Sequence, residues 1–480
     1  MNKLLIGKIL GILLLGEAVA MLVCLGLALY YRGPDVSALA LSVVITALAG
    51  AALAVRKVNY QDIGYREGFA VAALGWFVTA VFGSLPFVLS SAIPHPVDAF
   101  FETMSGFTTT GASILTDIEA LPMGILFWRS LTHWIGGIGT VVLLVAIIPS
   151  LRIAGMQFYR AEVSGPTKAK VLPRVAQTSR QLFKVYLVFT LLQVVALRLA
   201  GLPWFDSLTH TFGTVATGGF STRNLSVGAY NSVAVELIIA FFMLLCGISF
   251  ALHIKAMQGR PQVLWKDRET QVFLAVVVAA VAVISVNLIT VTEMTTGTSV
   301  RQSLFQVSSI ATSTGFASAD YDQWPDLSRL VLVLLMFVGA CAGSTGGGIK
   351  VIRIMVLWKL GTRQLQKLIH PQAVIPVRIG GSVIPTEVTD TVQSFLILYM
   401  GLFVASVVLM GMLGLDLISA VTAAVATLSN IGPGLGIVGP MANYATIPVV
   451  GKLILSFNML AGRLELFTVL ALLHPGFWRK

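Results

Sequence analysis

The chain has 480 residues, 56% of them hydrophobic and only 11% charged, well below the ~25% charge usual in soluble globular domains. With a mean hydropathy of +0.88, composition excludes a soluble enzyme or binding module and points to a bilayer. The net charge of +11 does not need a nucleic-acid partner, because its basic residues crowd into alternate loops.

Those loops hold Arg56, Lys57 and Arg66, then Arg152 through Lys184, Lys255 through Arg268, Lys350 through Arg378, and finally Arg479 and Lys480. The opposite loops carry Asp98, Asp117, Glu119, Asp206, Asp320, Asp322, Asp326 and Asp416. The asymmetry follows the positive-inside rule, which puts both termini and the basic loops in the cytoplasm of a multi-pass protein. Cys24, Cys246 and Cys341 lie far apart in apolar segments and read as small core residues. The six histidines are dispersed, which argues against a metal site.

In chain order, a first pair of spans is expected at about 4–31 and 37–56. The first resembles a signal peptide, but no small-residue cleavage site follows it and the next span begins almost at once, so it reads as a retained helix. Four more pairs follow: about 65–90 with 121–149, 181–200 with 229–257, 271–293 with 328–357, and 388–413 with 444–474. Each of these pairs encloses a segment too short and polar to span, beginning at Val97, Trp204, Gln302 and Asp416.

The four enclosed segments are alike. Each starts near an expected N-cap (Asp98, Asp206, Ser303 or Asp416), offers 10 to 13 helix-compatible residues and ends in a Thr/Ser/Asn-rich turn. Such a helix reaches roughly 18 Å, about half a bilayer, so the chain must enter and turn back. The expected closing glycines are Gly111, Gly218, Gly315 and Gly432, spaced by 107, 97 and 117 residues. A period near 100 residues, repeated four times, implies fourfold pseudo-symmetry within one chain.

Irregular backbone at membrane depth is tolerated only where protein buries it or it lines a watery cavity. Four pore helices meeting at an axis present the partial negative charge of their C-terminal ends to a cation. Beyond them, extended backbone can aim carbonyl oxygens inward in place of an ion's hydration shell, and glycine permits the backbone angles this needs. Potassium suits the design, whereas magnesium sheds water reluctantly and prefers carboxylates, which the turns lack.

The residues at these turns are Thr109-Thr110-Gly111, Ala216-Thr217-Gly218 followed by Gly219 and Phe220, Ser313-Thr314-Gly315-Phe316, and Asn430-Ile431-Gly432-Pro433-Gly434. With them the chain resembles the Trk/Ktr/HKT superfamily of potassium transporters, most closely its bacterial TrkH/TrkG membrane-subunit branch, over essentially its whole length. The resemblance implies that each loop is a degenerate form of the tetrameric potassium-channel filter. Some relatives carry serine at the first filter glycine and favour sodium, so Gly111 implies potassium selectivity. Ile431, where the other loops have threonine, departs from the pattern.

Two features interrupt the inner helices. Gly343-Ser344-Thr345-Gly346-Gly347-Gly348 cannot hold a stable helix, since each glycine costs roughly 1 kcal/mol relative to alanine. It reads as an intramembrane loop, or alternatively as a glycine-packed kink, and the resemblance makes it a gate beneath the filter. It is not a nucleotide-binding P-loop, because Ile349-Lys350 replaces the required tail. Arg463 lies mid-span, where an unpaired arginine costs at least about 2.5–3.5 kcal/mol and so should face the interior. The resemblance turns it toward the pore as a barrier to cations; the alternative is a salt bridge, with Glu465 near in sequence at a poor helical offset.

The basic loops at 150–180 and 350–380 serve topology alone or dock a soluble regulator. The resemblance implies an RCK-type cytoplasmic subunit, TrkA-like, binding NAD or ATP, and a homodimer with one pore per protomer in the bacterial inner membrane. The expected fold is an all-α integral membrane protein of four M1–pore helix–M2 repeats around one pore, plus two extra N-terminal transmembrane helices. Its units are 1–60, the helix pair, then pore repeats at 61–175, 176–265, 266–380 and 381–480. The expected function is gated potassium uptake, with no organic cofactor in this chain. A secondary transporter for another solute predicts inverted repeats, whereas these share one orientation. An enzyme needs a nucleophile–base pair, and for His133, the best candidate, neighbouring Arg129 and Trp134 offer no evident partner.

Overall fold

The computed structural model describes residues 1–55, 65–151 and 171–478. The first unit boundary, Arg56, Lys57, most of the basic 150–180 loop and the two C-terminal residues lie outside the described residues. Among the described residues the chain is all-α apart from one short hairpin pairing Arg378–Ile379 with Ser382–Val383. Six described helices are long and apolar enough to cross a bilayer, or seven if one bent pair counts as a span.

The N-terminal hairpin is α1 (Lys3–Tyr31) and α2 (Val36–Ala54). Gly11 and Gly50 face each other across it so closely that a Cβ on Gly11 would sit 2.7 Å from the Gly50 carbonyl oxygen. Asp35, in the turn, accepts the Ile125 N–H at 3.0 Å and so pins the hairpin to the first repeat.

Repeat one comprises α3 (Tyr65–Gly83), a short turn α4 (Leu85–Leu89), the pore helix α5 (Pro96–Phe107) and the inner helix α6 (Met123–Leu151). Repeat two has α7 (Val171–Leu199), the pore helix α8 (Trp204–Val215), and an inner helix split into α9 (Val233–Gly247) and α10 (Phe250–Met257). After a short surface helix α11 (Gln262–Lys266), repeat three has α12 (Arg268–Thr292), the pore helix α13 (Thr296–Ala311), α14 (Asp326–Val338) and α15 (Val351–Ile369). Repeat four has α16 (Thr386–Met412), the pore helix α17 (Leu417–Leu428), α18 (Val449–Arg463) and α19 (Phe467–Leu473).

The expected four repeats and extra pair are therefore present, with three local differences. Only Asp416 is an N-cap, accepting the Ser419 N–H at 3.2 Å. Asp98 and Asp206 lie inside the first turn, because proline, fixed near helical φ, starts or precedes those helices at Pro96 and Pro203. Ser303 is buried mid-helix, since α13 begins at Thr296 and runs 16 residues. Its polar first turns are held by neighbours: Ser299 donates to the Ser285 carbonyl at 2.9 Å and Arg301 lies 3.4 Å from Glu236.

The inner helices of repeats two, three and four are all interrupted, not just the two expected. The second bends by 98° between Gly247 and Phe250. The third is broken from Gly339 to Lys350, wider than the glycine run, because Gly339 takes φ +69 and leaves the helix early. These two breaks satisfy each other: Cys341 N–H donates to the Gly247 carbonyl and Phe250 N–H to the Gly343 carbonyl, both at 3.0 Å. Buried irregular backbone persists at this depth only with such partners.

Candidate ion pathway

Each pore helix ends in the same way. Thr109, Thr217, Ser313 and Asn430 take left-handed φ of 51, 53, 55 and 54°. The N–H of the following residue then reaches back five residues, Thr110 to Ser105, Gly218 to Gly213, Thr314 to Ser309 and Ile431 to Ala426, at 2.7–2.8 Å. This is a Schellman-type cap, which usually takes glycine at its left-handed position. Two residues on, a glycine again has positive φ: Gly111 (83°), Gly219 (81°), Gly315 (84°) and Gly432 (96°).

These four glycines form a closed ring. A Cβ on Gly111 would overlap the Gly218 carbonyl oxygen, one on Gly219 that of Thr314, and one on Gly315 that of Ile431. A Cβ on Gly432 would sit 2.6 Å from the Thr110 carbonyl oxygen, which returns the ring to repeat one. Asn430 adds a side-chain link across the same junction, donating to Thr110 Oγ1 at 2.9 Å. The expected turn residues of all four repeats are thus brought together, in the order one, two, three, four.

The register of the second segment needs correcting. Gly218 occupies the position of Thr110, Thr314 and Ile431, and the equivalent of Gly111 is Gly219, which spaces the glycines by 108, 96 and 117 residues. The matching triplet is Thr217-Gly218-Gly219, with Ala216 at the helix C-cap. Two adjacent glycines left the sequence ambiguous, and only the left-handed turn at Thr217 decides between them.

A cavity of about 120 Å³ touches Gly111, Gly219 and Gly315 from the side of the outer loops, where Thr116, Asn224 and Met441 line it. The Gly343–Gly348 segment packs against the ring's other side. A Cβ on Gly346 would lie 2.8 Å from the Thr312 carbonyl oxygen, and one on Gly347 would overlap that of Ser429. Thr345 Oγ1 donates to the Val215 carbonyl at 3.3 Å, and Gly347 N–H to Ser313 Oγ at 2.6 Å. From Ser344 to Gly347 the loop is therefore buried beneath the ends of three pore helices.

Arg463 faces inward as expected and its guanidinium donates to the Thr345 carbonyl at 2.6 Å. Its Nε and second terminal nitrogen are buried without a hydrogen-bond partner. Glu465 does not pair with it; that carboxylate bonds Arg353 from the first turn of α15. Sequence reasoning missed three further residues at this loop. Glu269 accepts Ala342 N–H at 2.7 Å and Ile352 N–H at 3.1 Å, holding both ends of the break. Lys350 turns back to the Gly346 carbonyl, and Arg353 joins repeat three to repeat four through Glu465. Each partner is over seventy residues distant except Gly346, so local pattern carried no signal.

Behind the ring, Arg129 and His133 also acquire the partners that the sequence did not reveal. Arg129 Nε lies 2.6 Å from Glu102, and His133 bridges Gly106 and Phe220.

An apolar helical array with four in-line re-entrant segments converging on one buried ring defines a polytopic membrane transport protein rather than an enzyme. The chain belongs to the TrkH family of cation transport proteins, whose family model matches residues 36–476. It is 40% identical to the Trk system potassium uptake protein TrkH of Halomonas elongata, covering 100% of both chains. It is 42% identical over 426 residues to the TrkH of Salmonella typhimurium, with 87% of each covered, and 33% identical to Trk system potassium uptake protein TrkG of Escherichia coli, with 96% of each covered. The crystal structure of the potassium transporter TrkH from Vibrio parahaemolyticus matches with a TM-score of 0.91 and 37% identity across 100% of both chains.

Proposed function

We propose that this protein takes up potassium across the bacterial inner membrane through a selectivity filter at the glycine ring. The observation that carries the reading is the ring itself: four segments, each with a positive-φ glycine set against the next segment's carbonyl. In this reading the non-helical backbone past each pore helix, with its glycine at positive φ, aims its carbonyl oxygens at the ion. Thr109 to Gly111, Thr217 to Gly219, Ser313 to Gly315 and Asn430 to Gly432 thereby supply the oxygens for a dehydrated potassium ion. The pore-helix C-termini add their partial negative charge beneath it.

The Gly343–Gly348 loop is the gate. Seated under three pore helices, it obstructs the path, and Arg463 both ties it down and places a positive charge there. Its far end continues into α15, a cytoplasmic helix bearing exposed Trp358, Leu365 and Leu368, which suits docking of an RCK-type, TrkA-like subunit carrying NAD or ATP. The relatives' assignment to a Trk system supports such a partner. A homodimer and cytoplasmic termini complete the reading.

The test is rubidium-86 uptake into proteoliposomes holding the protein, driven by an outward potassium gradient, with potassium or sodium as competitor. Competition by potassium and not sodium is expected. Equal competition by sodium overturns the claim for potassium. Absent uptake that persists in Arg463→Ala overturns the pore.

A further inference from the structure

The four inner helices start in register, and two of their buried positions break the repeat. Counting from Met123, Val233, Asp326 and Val449, the seventh residue is Arg129, Ile239, Leu332 and Leu455. The eleventh is His133, Met243, Met336 and Met459. All eight are buried. Three repeats place an aliphatic residue and a methionine behind the ring, whereas the first places a cation and an imidazole one turn apart.

Both polar side chains are spent on the second filter segment. His133 Nδ1 lies 2.8 Å from the Gly106 carbonyl, which can only accept, so this nitrogen carries the proton. Its Nε2 then accepts the Phe220 N–H at 3.2 Å. Arg129 donates to the Ser221 carbonyl at 2.7 Å, and its guanidinium carbon stands 3.7 Å from the centre of the Phe220 ring. The imidazole packs on the same ring, centre to centre at 4.1 Å. Glu102, fully buried on the first pore helix, binds Arg129 Nε at 2.6 Å and also accepts Ser113 Oγ and Ile114 N–H at 3.0 and 2.9 Å. One carboxylate thus holds the first segment directly and the second through Arg129. The third and fourth segments have anchors in their own repeats, Ser309 to the Phe316 carbonyl and Tyr444 to the Gly432 carbonyl, besides links to neighbouring repeats from Ala317 N–H to Ser226 Oγ and from Asn430 to Thr110.

We propose that Glu102, Arg129 and His133 are positioning residues that fix the second filter segment against the first, and that through this placement they set the discrimination between potassium and sodium. The inference rests on the filter reading above. The spacing of carbonyls around an ion depends on where the backbone is held, and Gly218-Gly219, lacking side chains, cannot hold itself. A buried polar network with every member satisfied fixes one arrangement where an apolar contact permits several.

The test is equilibrium rubidium-86 binding to the purified full-length protein, which needs no open gate, with potassium and sodium as competitors. His133→Met, which installs the residue of the other three repeats, is expected to lower the sodium-to-potassium ratio of competing concentrations by roughly fivefold or more, the scale of one lost hydrogen bond. His133→Gln, whose amide can accept from Phe220 and donate to Gly106, is expected to keep the ratio within about twofold. The double change Glu102→Gln, Arg129→Leu is expected to lower it as well, and serves if His133→Met does not elute as folded protein. A folded His133→Met or double variant with the parental ratio overturns the proposal. Sodium displacing rubidium as well as potassium does in the unaltered protein overturns the filter reading instead.

Discussion

At Gly219 a methyl group would meet the Thr314 carbonyl, whereas at Gly218 it would meet the His133 ring 2.5 Å away. Both glycines are required, for different reasons: the first by the ring and its positive φ, the second by the brace behind it. Gly219→Ala is expected to abolish potassium-selective rubidium binding, and retained selectivity would remove Gly219 from the filter. Gly111→Ser carries the same overlap with Gly218, so Gly111→Ala is its necessary control; sodium competition rising in both shows that the Cβ, not the hydroxyl, is responsible. At Arg463 the expected change is in flux. Arg463→Ala loses the Thr345 tether and the buried charge, so unstimulated rubidium uptake should rise several-fold. Arg463→Lys, with a donor of its own, should lie between the two. Arg463 was legible in the sequence because a lone arginine in an apolar span demands an explanation. Glu102 and Arg129 were not, because their pairing crosses 27 residues and two elements.

Among elements, the pore helices were recognisable from composition and length, but their first residues were not. An aspartate near a helix start is favourable both as N-cap and inside the first turn, where it meets the positive end of the dipole. Asp98 and Asp206 took the second role and Asp416 the first. The Asp416 carboxyl is held below its ordinary value chiefly by its hydrogen bond from Ser419. The stabilisation it brings is therefore complete above the ordinary aspartate pKa and is lost as pH falls through the lowered one. Asp416→Ala should cost about 1 kcal/mol of cap stability, read as a lower melting temperature at pH 7, with the difference from the parent vanishing in acid. The glycine loop tests a second element. Gly347→Ala cannot keep its seat against the Ser429 carbonyl, so its unstimulated uptake should exceed the parent's. Uptake equal to the parent's would show that the loop does not obstruct the path.

On the scale of the whole molecule, the ring is built from all four repeats, so an ion bound there stabilises every repeat at once. A ligand at a hundred times its dissociation constant adds about 2.7 kcal/mol to the native state. Potassium and rubidium should raise the melting temperature of the purified protein and sodium should not, and Gly219→Ala should abolish the difference. The sequence by itself determined the membrane class, the four-repeat architecture, the re-entrant segments and the glycine break. These follow from hydropathy, charge asymmetry and backbone chemistry, which are written locally and recur along the chain. Tertiary structure alone decided which of Gly218 and Gly219 enters the ring, because two neighbouring glycines are equivalent until a neighbour's carbonyl presses on one. It also decided what the buried charges of Arg129, Arg353 and Arg463 meet, respectively Glu102 with the Ser221 carbonyl, Glu465, and the Thr345 carbonyl. Inside a membrane such charges need partners, and Ser221, Glu465 and Thr345 lie on other repeats, where no local pattern reaches.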